Sequence, residues 1–174
     1  TTASAARDTL LILDQSAGLK NLSYNLTVAA NALTIALKTR TGSDPSAGSD
    51  VRIGFQSATS GPPARVTYQE VSVTSAVSLV IPSGTTIGTQ SAVAAYLYLY
   101  AISNAASGTA AVELAISRNQ YDEGSLNTST AIAGGSSATA LYSTTARTGY
   151  STRLIGRITS TQTTAGTWAI VPQD

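Results

Sequence analysis

The side chains that could do chemistry in this chain are few, because it contains neither histidine nor cysteine. Histidine is the commonest general base and metal ligand, so a Ser–His–Asp or Cys–His site and any histidine-bearing zinc site are excluded. No P-loop and no dinucleotide fingerprint is present. What remains is carboxylate chemistry. Nine acids are available, and a glycosidase needs only two at the right separation. Asp122-Glu123 is the only adjacent pair, and it precedes Gly124 in a turn-like context. Neighbours on a strand point to opposite faces, and neighbours in a turn are usually just solvated. The solvated reading is therefore preferred, and no catalytic residue is assigned.

Asp44 and Asp50 flank a Ser/Gly loop and could share a hard cation such as calcium. Their spacing is not that of an EF-hand, and a plain surface loop is the better reading. Neither a metal nor a cofactor is expected. Tyr96-Leu97-Tyr98-Leu99-Tyr100 is the most distinctive run: it sets three tyrosines on one strand face and two leucines on the other. Such rings can stack on sugars, but tyrosine is also rich at protein interfaces, where it buries a large area and keeps a polar tip. A strand apolar on both faces most simply lies between packed layers or between subunits. Tyr96, Tyr98 and Tyr100, with the single tryptophan Trp168, are the candidate interface residues.

The elements that must position these groups read as strands. Leu22, Tyr24, Leu26 and Val28 alternate with Ser23, Asn25 and Thr27, and Leu33, Ile35 and Leu37 repeat the pattern after a turn-like 29–32. A helix over 28–37 is the rival on propensity alone, but the surrounding Thr, Ser and β-branched residues oppose it. Val51, Ile53 and Phe55 mark a third strand. Pro62 and Pro63 cannot sit inside a sheet. Further strands are expected at 66–73, 75–81, 94–102, 110–117, 138–143, 153–160 and 167–171, with 124–137 as the longest loop. Residues 1–9 read as a flexible arm, and 10–174 as one domain. The fold class is all-β, an antiparallel sandwich or jelly roll, with a small barrel as the other form that short strands at this spacing take.

Charged residues are only 11% of the chain, while 49 of its 174 residues are Ser or Thr. Isolated monomers usually stay soluble through charge, so a neutral hydroxyl surface suits a protein meant to associate. The net charge of +1 implies no nucleic-acid partner. Arg147, Arg153 and Arg157 stand in a stretch with no acid between Gly124 and Gln173, and they read as solvated strand positions. The longest apolar run, 93–102, is about half a membrane-spanning helix, so no insertion is expected. The glycosylation-type triplets at Asn21, Asn25 and Asn127 are discounted as chance matches in a hydroxyl-rich chain.

At the C-terminus, 153–160 (RLIGRITS) reads as a strand with Gly156 between Leu154 and Ile158. A glycine there lets a backbone or a large ring approach closely. The return strand 167–171 would bring Trp168 over that space. The segment 150–169, YSTRLIGRITSTQTTAGTWA, resembles a recurring ending of bacteriophage virion proteins of the tail-fibre or related structural kind. That resemblance implies a β-rich, homotrimeric domain of a virion appendage or shell, such as a tail fibre or spike, a head fibre or a capsid decoration. Its partners would be copies of itself and other virion proteins, with a host surface glycan as a further ligand. It carries over no catalytic or binding residue. Two other functions compete with it: a receptor-binding module gripping host polysaccharide through Tyr and Asn side chains, and a glycan-cleaving enzyme using Asp122 or Glu123.

Overall fold

The period-two alternation is what the backbone adopts. The computed structural model describes residues 18–58, 66–103 and 112–173, and among these there are strands and turns but no helix. The strands are β1 (Leu19–Lys20), β2 (Leu22–Ala29), β3 (Ala32–Thr39), β4 (Val51–Ala58), β5 (Val66–Val73) and β6 (Ser78–Ile81). They continue with β7 (Ala94–Ser103), β8 (Val112–Ser117), β9 (Leu126–Ala131), β10 (Tyr142–Ser143) and β11 (Arg147–Thr161). The arm expected at 1–9 and the break at Pro62-Pro63 lie outside the described residues.

The β2–β3 hairpin shows how local sequence sets register. Leu22, Tyr24, Leu26 and Val28 stand opposite Thr39, Leu37, Ile35 and Leu33, which places both apolar rows on one face. The connecting residues Ala30 and Asn31 have φ of 49° and 61°. Two successive left-handed residues make the primed turn whose twist matches that of its strands. Asn accepts this conformation, whereas Ala pays for its Cβ there.

The strands assemble into two three-stranded sheets, β1-β4-β5 and β2-β3-β6, and a closed five-stranded barrel, β10-β8-β7-β11-β9. The all-β class thus holds, and its largest sheet closes into a five-stranded barrel. Pairing over long sequence distances decides this, and strand spacing carries no information about it. β11 is 15 residues long. It pairs with β9 near its start and with β7 from Ser151 to Thr161. β10 then joins β9 in parallel and β8 antiparallel, which completes the ring. One buried apolar cluster draws on all three sheets, including Leu33, Ile35, Phe55, Leu79, Leu97, Leu114, Ile158 and Trp168.

Several expected elements move. The stretch expected to be a loop at 124–137 contains β9, a polar strand (LNTSTA) that shows little apolar alternation because it closes the barrel through backbone pairing. The strand expected at 138–143 shrinks to Tyr142–Ser143, and that at 75–81 to Ser78–Ile81. Residues 167–171 are no strand; only Gln173 bridges back, to Thr159. Trp168 therefore does not cover Gly156. The ring that does is Tyr24, whose Cε1 would stand 2.7 Å from a Cβ added at Gly156. A close ring approach was legible at this glycine, but the identity of the ring was not.

Candidate interaction surface

β7 sorts its side chains by face. Leu97, Leu99 and Ala101 enter the shared core, while Tyr100 and Ile102 enter a second cluster with Ala115 and Leu141. The three tyrosines share one face but not one environment. Tyr100 is 1% exposed. Its hydroxyl donates to the Asn119 carbonyl at 3.2 Å and accepts the Tyr121 N–H at 2.9 Å, and its ring meets that of Tyr121 edge-on, centroids 6.0 Å apart. Burial raises the phenol pKa of Tyr100, and likewise that of Tyr121. Tyr98 is half-buried, and Tyr96, at the other end of the row, is 56% exposed.

Trp168 is fully buried, and its indole N–H donates to the Thr85 carbonyl at 3.1 Å. Two of the four residues expected at an interface, Tyr100 and Trp168, are therefore internal to the chain and offer a partner no surface. Aromatic type alone does not separate core from contact, because both uses reward a large ring with a polar tip. Only Tyr96, with part of Tyr98, remains available.

Trp168 anchors a C-terminal strap. Before it, the buried Gln162 side-chain oxygen accepts the Gly166 N–H at 2.6 Å and the Thr89 hydroxyl at 3.2 Å, and Gly166 packs against the Gly84 backbone, where a Cβ would come within 2.9 Å. After it, Gln173 exchanges two backbone hydrogen bonds with Thr159. Between these fixed points Ile170 is left 67% exposed and Val171 46%. The strap and β11 enclose a shallow cleft of about 240 Å³ lined by Thr159, Ser160, Thr161, Ile170, Val171, Pro172 and Gln173. Thr159 is the cross-strand neighbour of Tyr96, and the Arg157 guanidinium lies 4.8 Å from the Tyr96 ring centroid. Exposed aromatic, stacked cation, hydroxyls and apolar strap thus adjoin. Such a surface can hold a flat apolar or hydroxyl-bearing partner, and among the described residues no carboxylate lines the cleft.

The acids are engaged elsewhere. Asp122 accepts the Gly124 N–H and the Ser125 hydroxyl, both at 2.8 Å, and these bonds hold its carboxyl below the usual range. Glu123 grips β11 with both oxygens: one accepts the Leu154 N–H at 2.7 Å, the other pairs with Arg153 at 3.0 Å. Leu154 adjoins the bulge between Leu154 and Gly156, so Glu123 supplies an acceptor where β11 departs from regular pairing. Both carboxylates are thus taken up by bonds that hold the local backbone and Arg153. Asp44 pairs with Lys38 at 2.6 Å, while Asp50 takes the Ser72 hydroxyl at 2.6 Å and Arg52 at 2.9 Å. The Ser72 bond, then that to Arg52, holds the Asp50 carboxyl down. These two acids thus turn to different partners, and no cluster of three possible metal ligands occurs among the described residues.

The arginines of β11 were expected to be merely solvated. Arg157 is exposed, as expected, and stacks on Tyr96, whereas Arg147 pairs with Glu113 and Arg153 with Glu123. Sequence reasoning missed Glu123 and Arg153 as a structural pair because 30 residues separate them. Comparison of the chain with family models, with curated proteins and with solved structures found no match, so its functional reading rests on the residues, their geometry and the C-terminal resemblance.

Proposed function

We propose that this chain is a non-enzymatic structural protein of a bacteriophage particle, a component of a surface appendage or shell that works by shape-matched contact between β-surfaces. The observation that carries the reading is the neutral, partly apolar outer surface: Tyr96, Ile170 and Val171 stand exposed on a chain with only 11% charged residues. Exposed apolar groups clustered beside one another mark contact sites more often than idle surface. The resemblance of 150–169 to endings of phage virion proteins supplies the setting, and copies of the chain, as a homotrimer or another closed oligomer, supply the partners. The test is the position and copy number of the chain in a whole-particle reconstruction. Many copies on the shell would mark a decoration, and a few at the tail a fibre or spike. Its absence from purified particles would overturn the proposal.

A second reading, a module that binds host-surface glycan, is favoured by one feature, the Tyr96–Arg157 pair beside the hydroxyl-lined cleft. A sugar's apolar face packs on a ring while its hydroxyls meet polar groups at the edge. Titration of host polysaccharide against the wild type and Tyr96→Ala would support this reading if binding fell with the ring. No binding by the wild type would end it.

A further inference from the structure

We infer that the groove between the C-terminal end of β11 and the strap that follows it, on both sides of the exposed Ile170, binds an oligosaccharide whose sugars carry carboxylate groups. This rests on the glycan-binding reading and deepens it by naming the ligand class; it does not depend on the virion setting.

Arg157 is the charge that selects the ligand. β11 carries three arginines, and two are neutralised, Arg147 by Glu113 and Arg153 by Glu123. Arg157 is exposed, and among the described residues no carboxylate pairs with it. Its guanidinium lies over the Tyr96 ring instead. The ring attracts the cation through its quadrupole without using the N–H groups. The planar fork therefore stays open to solvent, in the shape that matches a carboxylate. The sequence between Gly124 and Gln173 contains no acid, nor does β7 beside it, so nothing in these elements competes for the fork.

What adjoins Arg157 suits a sugar. The cleft of about 240 Å³ begins at Thr159, which stands opposite Tyr96, and combines three hydroxyl-bearing residues of β11 with Ile170 and Val171. A smaller hollow of about 50 Å³ adjoins it: Thr161 and Ile170 line both spaces, and the second adds Gln162, Thr163, Thr164 and Thr167. Apolar side chains set among a few polar groups fit sugar rings, which offer C–H faces and hydroxyl edges.

Gln162 is a second, independent sign of a ligand. It is 4% exposed, and its side-chain oxygen is taken by the Gly166 N–H and the Thr89 hydroxyl, which fixes the orientation of the amide. The amide nitrogen is left buried with no acceptor among the described residues. A buried donor is costly unless an oxygen from water or a ligand meets it.

Spacing and charge narrow the class. Arg157 and Thr161 stand about 14 Å apart along the strand, farther than one sugar ring reaches, so the groove takes a chain of sugars. One open cation suits an occasional carboxylate; nucleic acid, charged at every residue, is held by several cations acting together.

The experiment is calorimetric titration of the full chain with oligogalacturonate, oligomannuronate and hyaluronan oligosaccharides, each beside the same oligomer with its carboxyl groups reduced to alcohols. At least one acidic oligomer should bind, and its reduced form about tenfold more weakly. Arg157→Gln should weaken the acidic oligomer about tenfold and leave the reduced one unchanged, with Arg157→Lys in between. Arg40→Gln, at an exposed arginine outside the groove, should bind as the wild type does, and circular dichroism should show all three variants folded. An equal loss in Arg40→Gln, or poly-glutamate held as tightly as the sugars, would reveal general charge attraction and overturn the inference. So would failure of all three acidic oligomers to bind at millimolar concentration, and titration with host polysaccharide then decides the broader glycan reading. If a reduced oligomer binds as tightly as its acidic parent and both weaken in Tyr96→Ala, the glycan reading stands and the acidic class alone is refuted.

Discussion

Replacing Gly156 with alanine tests whether the close approach of Tyr24 to β11 shapes the junction between the barrel and the β2-β3-β6 sheet. An added Cβ would stand 2.7 Å from the Tyr24 Cε1, 3.0 Å from its hydroxyl oxygen and 3.1 Å from its Cζ. Ordinary carbon contacts lie at about 3.5–4.0 Å, so the ring must retreat by about 1 Å. Overpacking of this kind costs about 1–3 kcal/mol. Removing a strand glycine returns about 0.5–1 kcal/mol by restricting the unfolded chain. The net loss is then about 1–2 kcal/mol. At this chain length each kcal/mol moves the melting temperature by about 2–4 °C, so Gly156→Ala should melt about 2–8 °C lower. Circular dichroism against temperature and urea measures the loss, and a cycle with Tyr24→Leu isolates its cause. Without the ring, the alanine should be neutral or slightly stabilising, giving a coupling energy of about 1 kcal/mol or more. If Gly156→Ala melts with the wild type, or loses as much stability in the Tyr24→Leu background, the packing argument is wrong.

Glu123→Ala should destabilise by about 2 kcal/mol, because it strips the Leu154 N–H and Arg153 of their shared acceptor. Glu123→Gln keeps one acceptor and should lose about half as much by the same chemical-denaturation assay; equal melting of all three proteins would refute the structural role. Ala30→Gly should raise the melting temperature by about 2–4 °C, since φ of 49° penalises a Cβ, and a lower melting temperature would show that the turn is not strained. The phenols of Tyr100 and Tyr121 are held protonated by burial. Their folded pKa values lie above the unfolded value, so this stability is fully present below about pH 10 and is lost as pH rises through the folded values. Absorbance at alkaline pH should show both phenols ionising together with the loss of the circular dichroism signal; ionisation of all eight tyrosines with the fold intact would contradict it. For Asp122 the sign reverses. Its lowered carboxyl contributes stability above its unfolded pKa, lost as pH falls through the folded one, so Asp122→Asn should flatten the acid limb of the stability curve.

Composition and periodicity determined much of this protein by themselves. Without histidine or cysteine the familiar nucleophile and zinc chemistries are closed at the level of residue type, and no fold can reopen them. Period-two alternation at 22–28 and 33–37 pointed to a hairpin with one apolar face, because a slip of one residue would turn every apolar side chain to the wrong face. Gly156 announced a close approach. Tertiary structure decided the rest. LNTSTA became β9 because barrel closure satisfies its backbone, a demand that leaves little trace in side-chain alternation. Tyr96 and Tyr100 share a strand and a face, yet one is exposed and the other sealed by Tyr121 and Leu141. Glu123 found Arg153, and Trp168 found Thr85, across 30 and 83 residues. Period two reports which face a side chain takes; what covers that face is set by long-range strand pairing, and the chain's local pattern is silent on it.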